Sequence, residues 1–345
     1  MTWFRRHSSL ALVGGSLLFA LFLAEVVLRL LGIGYGNAPM VSSSRLHHLH
    51  PSQYEYVVHD PAGEYGGYRI YFDGEGYRVP SADTVIPKPT GERRIAFLGD
   101  SFTESLEAPW NESFIGQLAT ANPKVTMRNF GVQSYSPILY LAQARKDLRE
   151  FAPTDVVLQL YSNDFASDHD YLAKSNSTDL NVLSAVNGDD RSWIINLLRY
   201  SYLARLVRKV QLQLDFVLHA PKIAAPFPDQ VLANDVESLK ERQLSYQTLS
   251  LIRQEVTKQN ARFYVLIIPN KGLSMKGQCC SSDTLHEEVR EFAQHNNILF
   301  IDLGGAFGQH QQQSSLFLGR DIHLAIPGHT TVAKSIALAL HLQAP

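Results

Sequence analysis

The chain has 345 residues, 45% hydrophobic and 19% charged, which suits a globular protein with a packed core and excludes a disordered one. Lys and Arg number 31 against 33 Asp and Glu, a net charge of −2, so no basic excess directs it to nucleic acid. The two cysteines are adjacent, Cys279 and Cys280; with no C-x-x-C they support neither a zinc knuckle nor a thioredoxin-like centre, and read as two loop thiols or as a vicinal disulfide.

In chain order, Arg5-Arg6 precede an uncharged run from Ser8 to Ala24, and apolar character resumes after Glu25 as Val26-Val27-Leu28. Ser8 to Leu28 is about the 20 residues needed to cross a bilayer. The positive-inside rule keeps Arg5 and Arg6 in the cytoplasm and sends the remainder to the periplasm or exterior. A cleaved signal peptide and a buried core helix are the rivals; Phe22-Leu23-Ala24 is a poor cleavage site, which favours an uncleaved anchor over residues 1–34. Residues 35–92, rich in Gly, Pro, Tyr and His, form an extended lead-in expected to lie against the main domain. Within it Tyr68 to Phe72 is a predicted strand and Asp73-Gly74-Glu75-Gly76 its turn.

From Arg93 short apolar runs alternate with helical stretches. Predicted strands are Ile95–Leu98, Val125–Phe130, Asp155–Tyr161, Phe263–Ile268 and Ile298–Asp302. Predicted helices run from Ser136-Pro137 to Phe151, from Val236 to Gln259, from Asp283 to Asn296, and from Pro327 through Ala339. This alternation predicts a parallel sheet with helices on both faces, one α/β domain over 93–345. An insertion at about 165–230 breaks the rhythm. It holds the polar segment Ser175-Asn176-Ser177-Thr178 and an amphipathic helix from Arg191 to Leu214, in which Arg199, Arg205, Arg208 and Lys209 alternate with Leu and Val. That helix reads as a lid over a site, as a solvated packing helix, or as a helix on a membrane surface.

Gly99-Asp100-Ser101 sits at the carboxyl end of the first strand and opens a helix, the edge where ligands bind in open parallel sheets. Alone the tripeptide also reads as a helix cap. Three later features strengthen the chemical reading. Gly131 ends the second strand with a backbone N–H able to face an oxyanion. Asn163 ends the third with a side-chain donor. Asp321-Ile322-His323 precedes the last helix, and a histidine two residues after an acid can act as a base oriented by that acid. Nucleophile, base, orienting acid and oxyanion donors are the parts needed for acyl transfer. No G-x-S-x-G and no G-x-G-x-x-G occurs, which disfavours an α/β-hydrolase and a dinucleotide-binding reading.

From about Arg93 onward the chain resembles the SGNH (GDSL-like) hydrolase superfamily in four ordered blocks: Gly99-Asp100-Ser101, Gly131, Asn163-Asp164, and Asp321 with His323. Glu25-Val26-Val27-Leu28-Arg29 and Gly76-Tyr77-Arg78 look like the membrane-anchored bacterial members. The resemblance implies a flavodoxin-like three-layer α/β/α fold and a triad of Ser101, His323 and Asp321. It also implies an oxyanion hole of the Ser101 N–H, the Gly131 N–H and the Asn163 side chain. Two positions depart from the pattern. Tyr161 replaces the usual glycine of G-x-N-D, a bulk expected to narrow the acyl pocket or reorient Asn163. Asp-x-His is shorter than the D-x-x-H of many esterases and is similar to polysaccharide O-acetyltransferases and acetylesterases.

The expectation is therefore a membrane-anchored serine esterase that needs no metal or cofactor. It would act on a small acyl ester of a small molecule or a polysaccharide. An extracytoplasmic polysaccharide O-acyltransferase using the same residues and a non-catalytic carbohydrate-binding or assembly protein with this fold are the alternatives. Four other groups carry weaker signals. His329 reads as structural, Asp168-His169-Asp170 as part of the polar insertion, His47, His48 and His50 as a solvated loop rather than metal ligands, and Asp302 as a weaker candidate for the triad acid.

Overall fold

Asp155-Val156-Val157-Leu158-Gln159-Leu160 carries too little polar surface to leave either face in water. In the computed structural model all six residues are buried at the centre of a five-stranded sheet. All residues are described except 1, 90, 190–192, 220–235, 273–283 and 311–312. Cys279 and Cys280 lie outside the described residues, as does Arg191.

The strands are β1 (Arg94–Leu98), β2 (Thr126–Asn129), β3 (Asp155–Leu160), β4 (Arg262–Ile267) and β5 (Leu299–Phe300). All pairings are parallel, and the spatial order is β2-β1-β3-β4-β5. That is the flavodoxin-like order, with its switch point where β1 lies beside β3. Register is set by pairs such as Ile95↔Asp155 and Arg262↔Asp155. Successive side chains point to opposite faces. Ala96, Leu98, Val156, Leu158 and Val265 pack with the helices Pro137–Arg145, Val236–Lys258 and Thr284–His295. Ile95, Phe97, Val157 and Leu266 pack with Phe114–Ala121 and Ile326–Leu340. The three-layer α/β/α architecture expected from the sequence is present.

One boundary differs. The helix expected to run unbroken to Phe151 stops at Arg145 and resumes at Asp147–Phe151. Asp147 is buried there, its two oxygens taken by Arg45 at 2.7 and 2.9 Å and by the Tyr77 hydroxyl at 3.0 Å. A buried carboxylate persists only when paired in this way, and the pairing ties the lead-in to the helical layer. His47, His48 and His50 are likewise buried rather than solvated. His48 Nε2 reaches the Gln133 carbonyl at 2.7 Å, His50 pairs with Glu104, and its ring stacks 4.0 Å from that of Phe72. Burial pushes the His48 imidazole down to about 4, so it stays neutral. No group of three metal-ligating side chains occurs among the described residues.

The chain divides into two compact units, the one above and a smaller one of 1–39, 56–69 and 191–224. The smaller unit holds the helix Thr2–Leu30, of which Ala11–Leu30 has a mean hydropathy of 2.3 and none of it is buried in protein. Gly34–Tyr35 pairs in parallel with Val58 and His59. The insertion forms two helices, Trp193–Tyr200 and Tyr202–His219, rather than the single one expected. The break at Ser201 is held by Glu25, whose carboxylate accepts from Ser201 Oγ at 2.9 Å, Tyr202 N at 3.0 Å and Leu203 N at 2.8 Å. Glu25 thus satisfies N–H groups that open the second helix and would otherwise lack intrahelical partners.

Candidate active site

β1 ends at Leu98 and the chain turns at Gly99. A Cβ on Gly99 would come within 2.6 Å of Gln159 Oε1 and strike Thr103 Oγ1, so only glycine fits. Asp100 caps the short helix Ser101–Glu104, its carboxylate accepting from Phe102 N at 3.0 Å. The cap reading of the tripeptide applies to Asp100, and Ser101 stands half-buried at the first turn. Gly131, just past β2, lies against this helix. A Cβ there would sit 2.5 Å from Glu104 N and 2.7 Å from Thr103 C.

The loop before the helix Ile326–Leu340 is a small hairpin. Phe317 and Leu324 bridge antiparallel, and Leu318 N donates to His323 O at 2.9 Å. Within it His323 Nδ1 lies 2.5 Å from Asp321 Oδ1, and His323 N donates to the same oxygen at 3.1 Å. His323 Nε2 lies 2.7 Å from Ser101 Oγ. Residues 222 positions apart thus meet in one line: carboxylate, imidazole, hydroxyl. The Phe102 ring covers His323 with centroids 4.9 Å apart.

Two buried cations fix the loops on either side. Arg78 donates to the carbonyls of Glu104 at 2.9 Å, Ala108 at 2.7 Å and Ser105, the segment that follows Ser101. Lys271 Nζ donates to Leu318 O at 2.7 Å, Gly319 O at 3.0 Å and Asp321 O at 2.8 Å, the segment that carries the acid. The sequence reading assigned a role to neither. Their acceptors are main-chain oxygens, which leave no residue-type signature.

Burial by itself would lower the His323 imidazole. The Asp321 hydrogen bond and the negative charges of Glu107, Asp321 and Asp100 outweigh it and raise the group to about 9. Asp321 is opposed by burial but held below its ordinary value by the His323 hydrogen bond and charge, so it remains ionised. Burial pushes Asp100 up to about 6 against the Phe102 N–H, the His323 charge, and the Gln159 and Asn163 side chains. Asp164 is raised well above the usual carboxylate range by burial and by Asp100.

The donors expected around an oxyanion are placed unequally. Asn163 is half-buried with its side chain beside Asp100. The Gly131 N–H already donates to Asn129 Oδ1 at 2.8 Å. The bulk of Tyr161 is absorbed by the core: it is 3% exposed, its ring 4.4 Å from that of Phe102.

The remaining candidates have other partners. His329 is fully buried, its Nε2 3.1 Å from a Glu107 oxygen. Asp168 is buried and caps the helix Pro137–Arg145, accepting from Ser136 Oγ at 2.5 Å and Ile138 N at 3.0 Å, with Ser245 Oγ at 2.7 Å. Asp302 is exposed and accepts from Gly304 N at 2.7 Å.

No family model and no curated protein matches the chain. Solved structures do. The chain is similar to a catalytic mutant of an acetylxylan esterase from Geobacillus stearothermophilus, with 15% identity and a TM-score of 0.44 over 75% of this chain and 97% of that one. It is similar to a GDSL-like lipase from Bacteroides thetaiotaomicron, with 12% identity and a TM-score of 0.41 over 75% and 93%. A member of the lipolytic G-D-S-L family from Veillonella parvula gives 13% identity and a TM-score of 0.41 over 71% and 96%.

Proposed function

We propose that the protein is a serine esterase hydrolysing a small acyl ester, with Ser101 as nucleophile, His323 as base and Asp321 as orienting acid. The observation that carries this reading is the continuous line from Asp321 Oδ1 through His323 at 2.5 Å to Ser101 Oγ at 2.7 Å. In the neutral form His323 Nε2 takes the Ser101 proton as Oγ adds to the ester carbonyl. The tetrahedral oxyanion collapses, the C–O bond to the alcohol breaks, and the alcohol leaves with the proton from His323. Water, deprotonated by His323, then releases the acid from acyl-Ser101. The Ser101 N–H and the Asn163 amide are the proposed oxyanion donors, with the Gly131 N–H shared between the oxyanion and Asn129 Oδ1. The Asp-x-His spacing directs the proposal to acetyl groups on a polysaccharide. The apolar span Ala11–Leu30 is proposed as an uncleaved anchor that leaves Arg5 and Arg6 in the cytoplasm and Ser101 outside it.

The test is covalent labelling of the full chain by a fluorophosphonate, together with acetate release from acetylated polysaccharides and short-chain esters. Wild type is expected to label and to release acetate, and Ser101→Ala to do neither while keeping its circular dichroism. Undiminished labelling of Ser101→Ala would identify another nucleophile. Acetylated sugar in place of free acetate, when a non-acetylated oligosaccharide is added, would make the protein a transferase.

A further inference from the structure

The helix Tyr202–His219 wears its amphipathicity inside out. Successive residues turn by about 100°, so Tyr202, Arg205 and Lys209 share one face, and that face is turned onto protein. Arg205 donates to Tyr35 O at 3.0 Å, Asn37 O at 2.7 Å and the Tyr56 hydroxyl at 2.6 Å. Lys209 Nζ stands 3.8 Å over the Tyr35 ring, and Tyr202 meets Tyr56 edge-on. Val207, Val210, Leu214 and Leu218 share the opposite face and are 47–69% exposed. The preceding helix, Trp193–Tyr200, adds Ile194, Ile195, Leu197 and Leu198 at 48–62%. A soluble surface helix does the reverse, and a contiguous apolar surface of this kind marks a docking face.

Where the two helices meet identifies what covers them. Their junction is bolted to the far end of the apolar span: Glu25 caps Ser201 to Leu203, and Arg29 reaches the Tyr200 carbonyl and lies 4.9 Å over the Tyr202 ring. A span that crosses a bilayer brings its last turns, and hence this junction, to the level where headgroups meet acyl chains. We propose that both insertion helices lie in the bilayer surface on the outer side, with Val207, Val210, Leu214 and Leu218 among lipid acyl chains. The inference rests on the span being a membrane anchor and is independent of the esterase chemistry. It places the apolar stripe, not the basic one, in the lipid, because Arg205 and Lys209 are engaged within the protein.

The test uses the full chain reconstituted in phosphatidylcholine–phosphatidylglycerol vesicles. Val210→Trp and Leu214→Trp each add an indole at an exposed position, and wild type supplies the background emission. The added emission is expected to be strongly quenched by lipids brominated along the acyl chain and to ignore iodide in the water. Flotation with the vesicles, combined with iodide quenching and no bromolipid quenching, would overturn the inference and leave the anchor standing. Indoles deaf to both quenchers in a cross-linkable dimer would assign the stripe to a second copy and overturn it too. Failure to float would overturn the anchor and this inference with it.

Discussion

A serine hydroxyl becomes nucleophilic when a neighbouring base takes its proton, so the proposed mechanism requires an unprotonated His323 Nε2. With the imidazole raised to about 9, most of it is protonated at neutral pH. Accordingly kcat/KM is expected to climb with pH and level off only above about 9, a profile measurable on a short-chain ester whose own hydrolysis is subtracted. The stability contribution has the opposite sign. A group whose pKa rises on folding stabilises fully below its unfolded value of about 6.5, and that contribution is lost as pH rises through about 9. Asp321→Asn, which removes the hydrogen-bonded charge, is expected to lower the rate and move the limb to lower pH. A wild-type limb at or below pH 7 would show that Asp321, Glu107 and Asp100 do not set the proton affinity of His323.

At the scale of the element, the loops are held as firmly as the residues they carry. Lys271 gathers the carbonyls of Leu318, Gly319 and Asp321, and an apolar side chain there would remove the one cation that holds all three together. Lys271→Met is expected to lower kcat about 10²-fold with little change in KM, the size of effect that a small misplacement of a catalytic group produces. Its pH limb should shift with Asp321. A lowered melting temperature with kcat and limb intact would mean that Lys271 serves stability alone. Elements differed sharply in how far the sequence disclosed them. β3 was legible because four of its six residues are apolar, and the helix Val236–Lys258 was read to within one residue of its end. The break at Lys146 was not, because the partner of Asp147 is Arg45, 102 residues earlier. The burial of His48 and His50 was missed for a related reason: their partners, Gln133 and Glu104, are brought by the fold, and no periodic pattern announces them. Ser101, Asp321 and His323 were visible because their residue types and spacing carry chemistry even before they are in contact.

At the scale of the whole molecule, the proposed anchor carries a prediction about topology. Protease added outside the cytoplasmic membrane of cells with a permeabilised outer layer is expected to digest the domain carrying Ser101 and to spare a tag placed ahead of Arg5. Protection of both would put the domain in the cytoplasm. The carboxylate that pins the insertion also dictates a timetable. Glu25 and Ser201 are 176 positions apart, so the anchor leaves the ribosome long before its partner exists. At roughly 5–20 residues per second the interval is about 10 to 35 s. Throughout it Glu25 has Arg29, one helical turn away at 2.7 Å, to offset its charge. Glu25 is therefore fully partnered only when the insertion arrives, and until then the proposed anchor waits for the last piece of its own socket.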